Sequence, residues 1–174
     1  MMKIFFSLVC FLALQLVCSA QEIVSKDSKV EFKIKGGGLF NIKGTFTGMQ
    51  GDFSFNPENL NQSSFDICIA PSTVDTGNKK RDAHLKDPDF FEVETYPNIC
   101  FKSTRIAKTM KGYTTVGLLT MHGITKTVSI PFTFKNNTFK GQFTINRFDY
   151  NIGQDFGTLR VGEEANVTIT CVVN

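Results

Sequence analysis

Apolar and polar residues alternate with a period of two along most of this chain, and no long segment carries an apolar stripe at helical spacing. Val30, Phe32 and Ile34 alternate with Lys29, Glu31, Lys33 and Lys35, which predicts a strand with one apolar and one charged face. Gly36, Gly37 and Gly38 interrupt that run, and Phe40, Ile42, Gly44, Phe46 and Gly48 share the parity of the next. Phe53 and Phe55 follow a turn near Gln50-Gly51 and end at Asn56-Pro57, after which Phe65, Ile67 and Ile69 alternate across 62–70. Strand pattern returns at Ile99 and Phe101, over 113–121, from Val128 to Phe134, from Phe139 to Ile145 and over 161–173, with Asn136-Asn137 as a turn signal. Between Pro71 and Pro97 the alternation vanishes, and the charged stretch around 78–93 predicts a short helical insertion.

Strands joined mostly by short turns make an all-β antiparallel meander. A flat sheet would leave an aromatic face and two edges in water, and closing it removes both. The expected fold is therefore a closed antiparallel β-barrel of about eight strands in one domain over 21–174. A barrel of this size is either filled by its own side chains or holds one elongated apolar molecule. Composition sharpens that choice without deciding it: the chain has 18 Phe, of which only Phe5, Phe6 and Phe11 fall in the first twenty residues, and no Trp. The inward parity makes Phe32, Ile34, Phe40, Phe46, Phe53, Phe65, Ile67, Phe101, Phe132 and Phe143 the candidate lining of an apolar ligand site. They are held as a set, because a one-residue bulge reverses every side chain beyond it.

Met1 to Ala20 has a short basic start, an apolar run from Ile4 to Val17 broken by Ser7 and Gln15, and Cys18-Ser19-Ala20 before Gln21. That is the layout of a cleaved secretory signal, so the expected location is periplasmic or secreted. Lipid attachment at Cys18 is disfavoured because Val17, not a small residue, precedes it. No later apolar run reaches the ~20 residues of a membrane span. With 19 Lys and Arg against 16 Asp and Glu, the charge is too small and dispersed for nucleic acid to be an expected partner. Cleavage leaves Cys68, Cys100 and Cys171. Cys68 and Cys100 can pair if their strands are neighbours, or all three can be small unpaired residues. None has the spacing of a metal ligand, and no cofactor motif is present.

Two cationic positions merit weight. His84, in Arg81-Asp82-Ala83-His84, either contacts a ligand headgroup or packs the insertion against the barrel rim. Arg147 shares the parity of Phe139, Gly141, Phe143 and Ile145, so alternation aims it inward, where it needs a partner. That partner is an internal carboxylate such as Asp149 or Asp75, or an acidic ligand head, unless a bulge turns the side chain outward. His122, where a strand ends in a turn, is expected at the rim with a backbone hydrogen bond. No serine sits in a nucleophile-elbow setting and Gly36-Gly37-Gly38 leads into no helix, so no catalytic residue is assigned. A homodimer is left open by the edge strands.

The runs Val74-Asp75-Thr76-Gly77-Asn78, Arg81-Asp82-Ala83-His84-Leu85, Pro88-Asp89-Phe90-Phe91-Glu92-Val93 and Tyr96-Pro97-Asn98-Ile99-Cys100-Phe101 closely resemble motifs of the YceI-like family. Gly117-Leu118-Leu119-Thr120-Met121-His122-Gly123 and Ile145-Asn146-Arg147 extend the resemblance, although Leu118 stands where an acidic residue is usual and Cys100 where a hydroxyl is common. The resemblance implies a lipocalin-like eight-stranded barrel, exported, that holds an isoprenoid or other long-chain lipid. A structural or interaction barrel with a filled core, acting through its surface, is the alternative.

Overall fold

The alternating segments form nine strands: β1 (Lys29–Gly36), β2 (Phe40–Phe46), β3 (Gln50–Ser54), β4 (Ser64–Ile69), β5 (Ile99–Thr109), β6 (Gly112–Met121), β7 (Ile124–Lys135), β8 (Thr138–Asn146) and β9 (Val161–Val172). The computed structural model describes residues 21–37 and 40–174, and the expected signal over 1–20 lies outside them. One α-helix, α1 (Lys79–Lys86), stands in the insertion between β4 and β5. The Asn78 side chain accepts from the Arg81 amide at its start, and Asp87-Pro88 ends it.

All nine strands belong to one antiparallel sheet in the order β2-β1-β9-β8-β7-β6-β5-β4-β3. Phe53 of β3 and Phe65 of β4 nevertheless meet Phe139 of β8, with ring centroids 5.8 and 5.4 Å apart. In a flat sheet β3 and β8 would lie roughly 24 Å apart. The sheet therefore curls around its aromatic face, as the need to bury that face requires. The ladder does not run from β2 to β3. Instead, the stretch after β4 lies along the free edge of β2: Thr45 and Asp75 exchange backbone hydrogen bonds of 2.9 and 3.0 Å, and the Thr47 amide donates to Thr73 Oγ1 at 3.1 Å. A strap of irregular chain thus covers an edge that a continuous ladder would have paired.

The two ends of the interior differ. At the end bearing the β5–β6 and β7–β8 turns, the Phe55 ring meets Phe65, Tyr113, Phe132, Phe134 and Phe139 at centroid distances from 5.1 to 6.3 Å, a packed aromatic plug. The other end is roofed by the insertion and by the stretch after β8, where Phe90, Leu119, Met121, Tyr150 and Ile152 form a second buried cluster.

Cys68 of β4 stands opposite Cys100 of β5, and the two are joined by a disulfide that closes a 32-residue separation. The alternation that places Asp66 and Lys102 on the outer face places this bridge there too. On the chain-entropy account, loss of the bridge in a Cys68→Ser, Cys100→Ser variant costs about 3–4 kcal/mol. Urea denaturation of the oxidised protein and the double variant measures the difference.

The apolar cavity and its roof

Between plug and roof the barrel holds a cavity of about 240 Å³, partly open to solvent, with an almost wholly apolar wall. Phe32 and Ile34 of β1, Phe46 of β2, Phe53 of β3, Phe65 and Ile67 of β4, Phe101 of β5, Phe132 of β7 and Phe143 of β8 all line it. Their period-two spacing sets one face of each strand inward. Phe40 does not line the cavity. It has the inward parity but stands opposite Gly36 at the far end of the β1–β2 hairpin, beyond the barrel wall, and is 75 % exposed. Alternation along β9 brings in Ala165, Val167, Ile169 and Cys171, which the sequence reading left out although their parity was visible. Leu85, Phe90 and Phe91 also line it. Nothing in the non-alternating insertion announced them, because a roof is set by where the segment folds back, not by a period.

The roof is assembled from two segments and held by side chains with fixed partners. Arg81 Nε donates to Thr76 Oγ1 at 2.8 Å and Nη2 to the Thr76 carbonyl at 2.9 Å, while the Thr76 amide donates to Asp82 at 2.9 Å. These bonds tie α1 back to the strap. His84 does not reach the cavity. Its Nε2 lies 3.3 Å from Asp89 Oδ2, and its ring stands edge-on to Phe90 and Phe156 at 5.0 and 5.4 Å, so it packs on the roof from outside. Arg81 and Asp82 therefore fasten the insertion, and the half-exposed His84 ring lies outside the cavity.

Arg147 points inward as its parity requires and is 4 % exposed, but its partners are not carboxylates. Asp149 pairs with Lys126 at 2.5 Å and Asp75 accepts from the Gly77 amide at 2.8 Å. The guanidinium instead donates to five backbone carbonyls: Gly162 at 2.8 Å, Ile152 at 2.8 Å, Val161 at 3.1 Å, and Gly153 and Phe156. The chain from 147 to 162 wraps around the cation, and this return path is what parity could not reveal. Burial draws the guanidinium pKa below its ordinary value, with the Glu163 carboxylate acting the other way. It stays charged, since arginine does not lose its proton in proteins. With five N–H donors and five acceptors, it has none left for an acidic ligand head.

His122 sits at the junction of the β6–β7 turn, the insertion and the 147–150 turn. Its Nδ1 lies 3.0 Å from the Tyr150 carbonyl, as its place at a strand end suggested. Tyr96 stacks edge-on at 4.7 Å, and Nε2 faces Glu92 Oε2 at 3.4 Å, out of line for a hydrogen bond.

A YceI-like domain model matches residues 22–173, and a UPF0312 protein of Yersinia enterocolitica is 33 % identical over 138 residues, covering 74 % of this chain and 72 % of that protein. The chain belongs to the YceI-like family. Among solved structures, BcnA of Burkholderia cenocepacia superposes with a TM-score of 0.79 at 28 % identity, over 88 % of this YceI-like chain and 99 % of that one. A polyisoprenoid-binding domain of Saccharophagus degradans has a TM-score of 0.67 at 16 % identity, over 89 % and 98 %, a likeness of fold.

Two outcomes follow for this YceI-like barrel. Lysine at 147 would offer three donors on a point charge to a cage built for a planar fork, so Arg147→Lys should cost about 3 kcal/mol in a urea titration. Burial pushes the Cys171 thiol up to about 11 from 9.0, opposed by a hydrogen bond from Ser28, and the Tyr150 phenol up to about 12 from 10.0, with Asp149 adding to the effect. Both raised values favour the neutral forms in the folded state. Their contribution is whole below pH 9 and is lost as pH climbs through the folded values. Stability measured by urea should fall between pH 9 and 12, less steeply in Cys171→Ala, and native Cys171 should resist alkylation at pH 8.

Proposed function

We propose that this protein is exported and holds an elongated apolar ligand, an isoprenoid or fatty-acyl chain, inside the barrel as a carrier, store or sequestering protein. The observation that carries this reading is the apolar cavity of about 240 Å³ left open beside a fully packed plug. Well-packed interiors contain few voids larger than a water molecule. Engineered apolar cavities of ~150 Å³ already stay dry and admit benzene. A chain ligand would gain affinity from apolar burial, at about 25 cal/mol per Å², against the cost of its immobilisation. With Arg147 saturated, direction along the barrel would come from shape and from what emerges at the roof, not from an ion pair inside.

The fold likeness to a polyisoprenoid-binding domain supports the same ligand class. The Cys68–Cys100 disulfide supports an oxidising compartment, and with it the expected cleavage after Ala20. Binding rather than catalysis is favoured by the state of the thiols: two are joined to each other, and the third is buried with its pKa raised.

Native mass spectrometry of protein purified without detergent from its own host, followed by solvent extraction, is the direct test. The expected result is a stoichiometric adduct that extracts as an isoprenoid or acyl lipid. Ala165→Phe, which fills the cavity from β9 opposite Ile34 and Ile145, should abolish the adduct while the far-UV spectrum stays that of the parent. A clean unliganded mass, with no uptake of added isoprenoid, would instead favour the filled structural barrel.

A further inference from the structure

The wall of the barrel does not stop at the cavity. Beyond Ile34, the β1–β2 hairpin continues with Gly36 opposite Phe40 on one side and opposite Val161 of β9 on the other. Residues directly opposite in a sheet share a face, so Ile42 and Phe40 follow Ile34 on the concave side, and Val161, beyond a register shift between Ile34 and Gly36, faces the cavity as well. Ile34 and Val161 line the cavity, Ile42 packs over Gly36, and Phe40 stands in solvent at 75 % exposure. An apolar ramp thus runs from the cavity to the surface. At its outer end the Gly37 amide donates to the Arg160 carbonyl at 2.9 Å, which brings in Leu159, 85 % exposed. Phe40 and Leu159, the latter one residue from this backbone contact, are thus two large exposed apolar residues at the same end of the barrel.

The opposite parity of the same hairpin is basic. Lys33 stands directly across from Lys43, a like-charge pairing that costs stability where it occurs, and Lys35 follows on the same face. Lys33, Lys35, Lys43 and Arg160 are all exposed, and none has an ion-pair partner among the described residues. Glu163 and Glu164 are neighbours on β9, with Glu163 accepting from Asn146 Nδ2 at 2.9 Å, so the cations outnumber the acids at this end. An apolar face with lysines on its reverse is the arrangement of elements that lie in a bilayer interface, the rings in the acyl boundary and the ammonium groups reaching to headgroups.

We propose that this end of the barrel, with Phe40 and Leu159 at its tip and Lys33, Lys35, Lys43 and Arg160 around them, is a docking face for an anionic lipid bilayer. The proposal rests on the lipid-binding reading for its purpose. A water-insoluble chain is exchanged at a membrane surface, and the ramp leads it past the hairpin into the barrel. The cavity volume points the same way: about 240 Å³ lies below the ~300–1,000 Å³ of sites that enclose a whole drug-sized ligand, so a long chain must extend outward.

Sedimentation of the mature protein with vesicles of phosphatidylcholine alone, and of phosphatidylcholine mixed with phosphatidylglycerol, tests it. Binding is expected to the mixed vesicles and to weaken with added salt. Phe40→Ala with Leu159→Ala, and separately Lys33→Glu with Lys43→Glu, should each lower it about tenfold or more. These four side chains are exposed, and the double charge reversal keeps a like-charge pair, so the parent urea midpoint should be kept. Uptake of a fluorescent isoprenoid alcohol added from solvent should be unchanged in the lysine variant, whose side chains lie on the face away from the ramp, while its transfer from mixed vesicles slows in both. Absence of sedimentation by the parent protein, or full sedimentation by both variants, overturns the docking face. Sedimentation that depends on these residues without uptake of the isoprenoid overturns the cavity reading and leaves the docking face standing.

Discussion

The caged guanidinium of Arg147 is the constraint on which the upper half of this barrel depends. A cation taken out of water must be compensated, and here the compensation is the backbone of the segment that follows it: carbonyls of 152, 153, 156, 161 and 162 converge on one side chain. That convergence folds the path from β8 to β9 into a compact return. It places Ile152 in the cavity wall and Phe156 against Phe90 and His84, with centroids 4.9 and 5.4 Å apart. Gly153 lies so close to the guanidinium and to the Phe90 ring, with φ +61°, that no side chain fits there. The roof is therefore organised from beneath by a charge, although its visible surface is a stack of aromatic rings.

The barrel wall answers to a different requirement. Rings on one face of nine strands can leave water only if the sheet curls until they touch, and the Phe55 hub is where they do. Curling alone does not finish the job, because β2 and β3 do not pair. The strap carrying Thr73 and Asp75 supplies hydrogen bonds to β2 in place of a tenth strand, and Arg81, Asp82 and Thr76 anchor α1 to that strap. Edge protection and roof placement are thus one piece of chain. Arg81 and Asp82 of the insertion thus bond to neighbouring chain, and the wall of the cavity beneath is left to apolar contacts.

The hollow and the plug are also linked. Aromatic side chains fill the end where strands turn tightly, and the space above them is spanned by smaller residues such as Ala165 and Gly141 on neighbouring strands. An interior packed from one end gathers the aromatic contacts there and leaves the space above them open.

Period-two alternation was sufficient to read most strands, their inward faces and nine of the ten proposed lining residues, because the side-chain direction of a strand is a local property of the pleat. The helical insertion was legible because alternation stops there, and the inward aim of Arg147 because the parity of β8 carries one residue past its end. Phe40 marks the limit: parity gives direction, but whether that direction meets a wall or open water depends on how far the neighbouring strands extend. The partner of Arg147, the outward packing of His84 and the roof of Leu85, Phe90 and Phe91 were likewise decided by how irregular segments return over the barrel. The pairing of Cys68 with Cys100 stayed open until the register of β4 on β5 was known. Strand identity is written in the spacing of neighbouring residues, whereas closure, roof and burial depend on contacts between residues far apart in the chain, and only the tertiary structure chooses those.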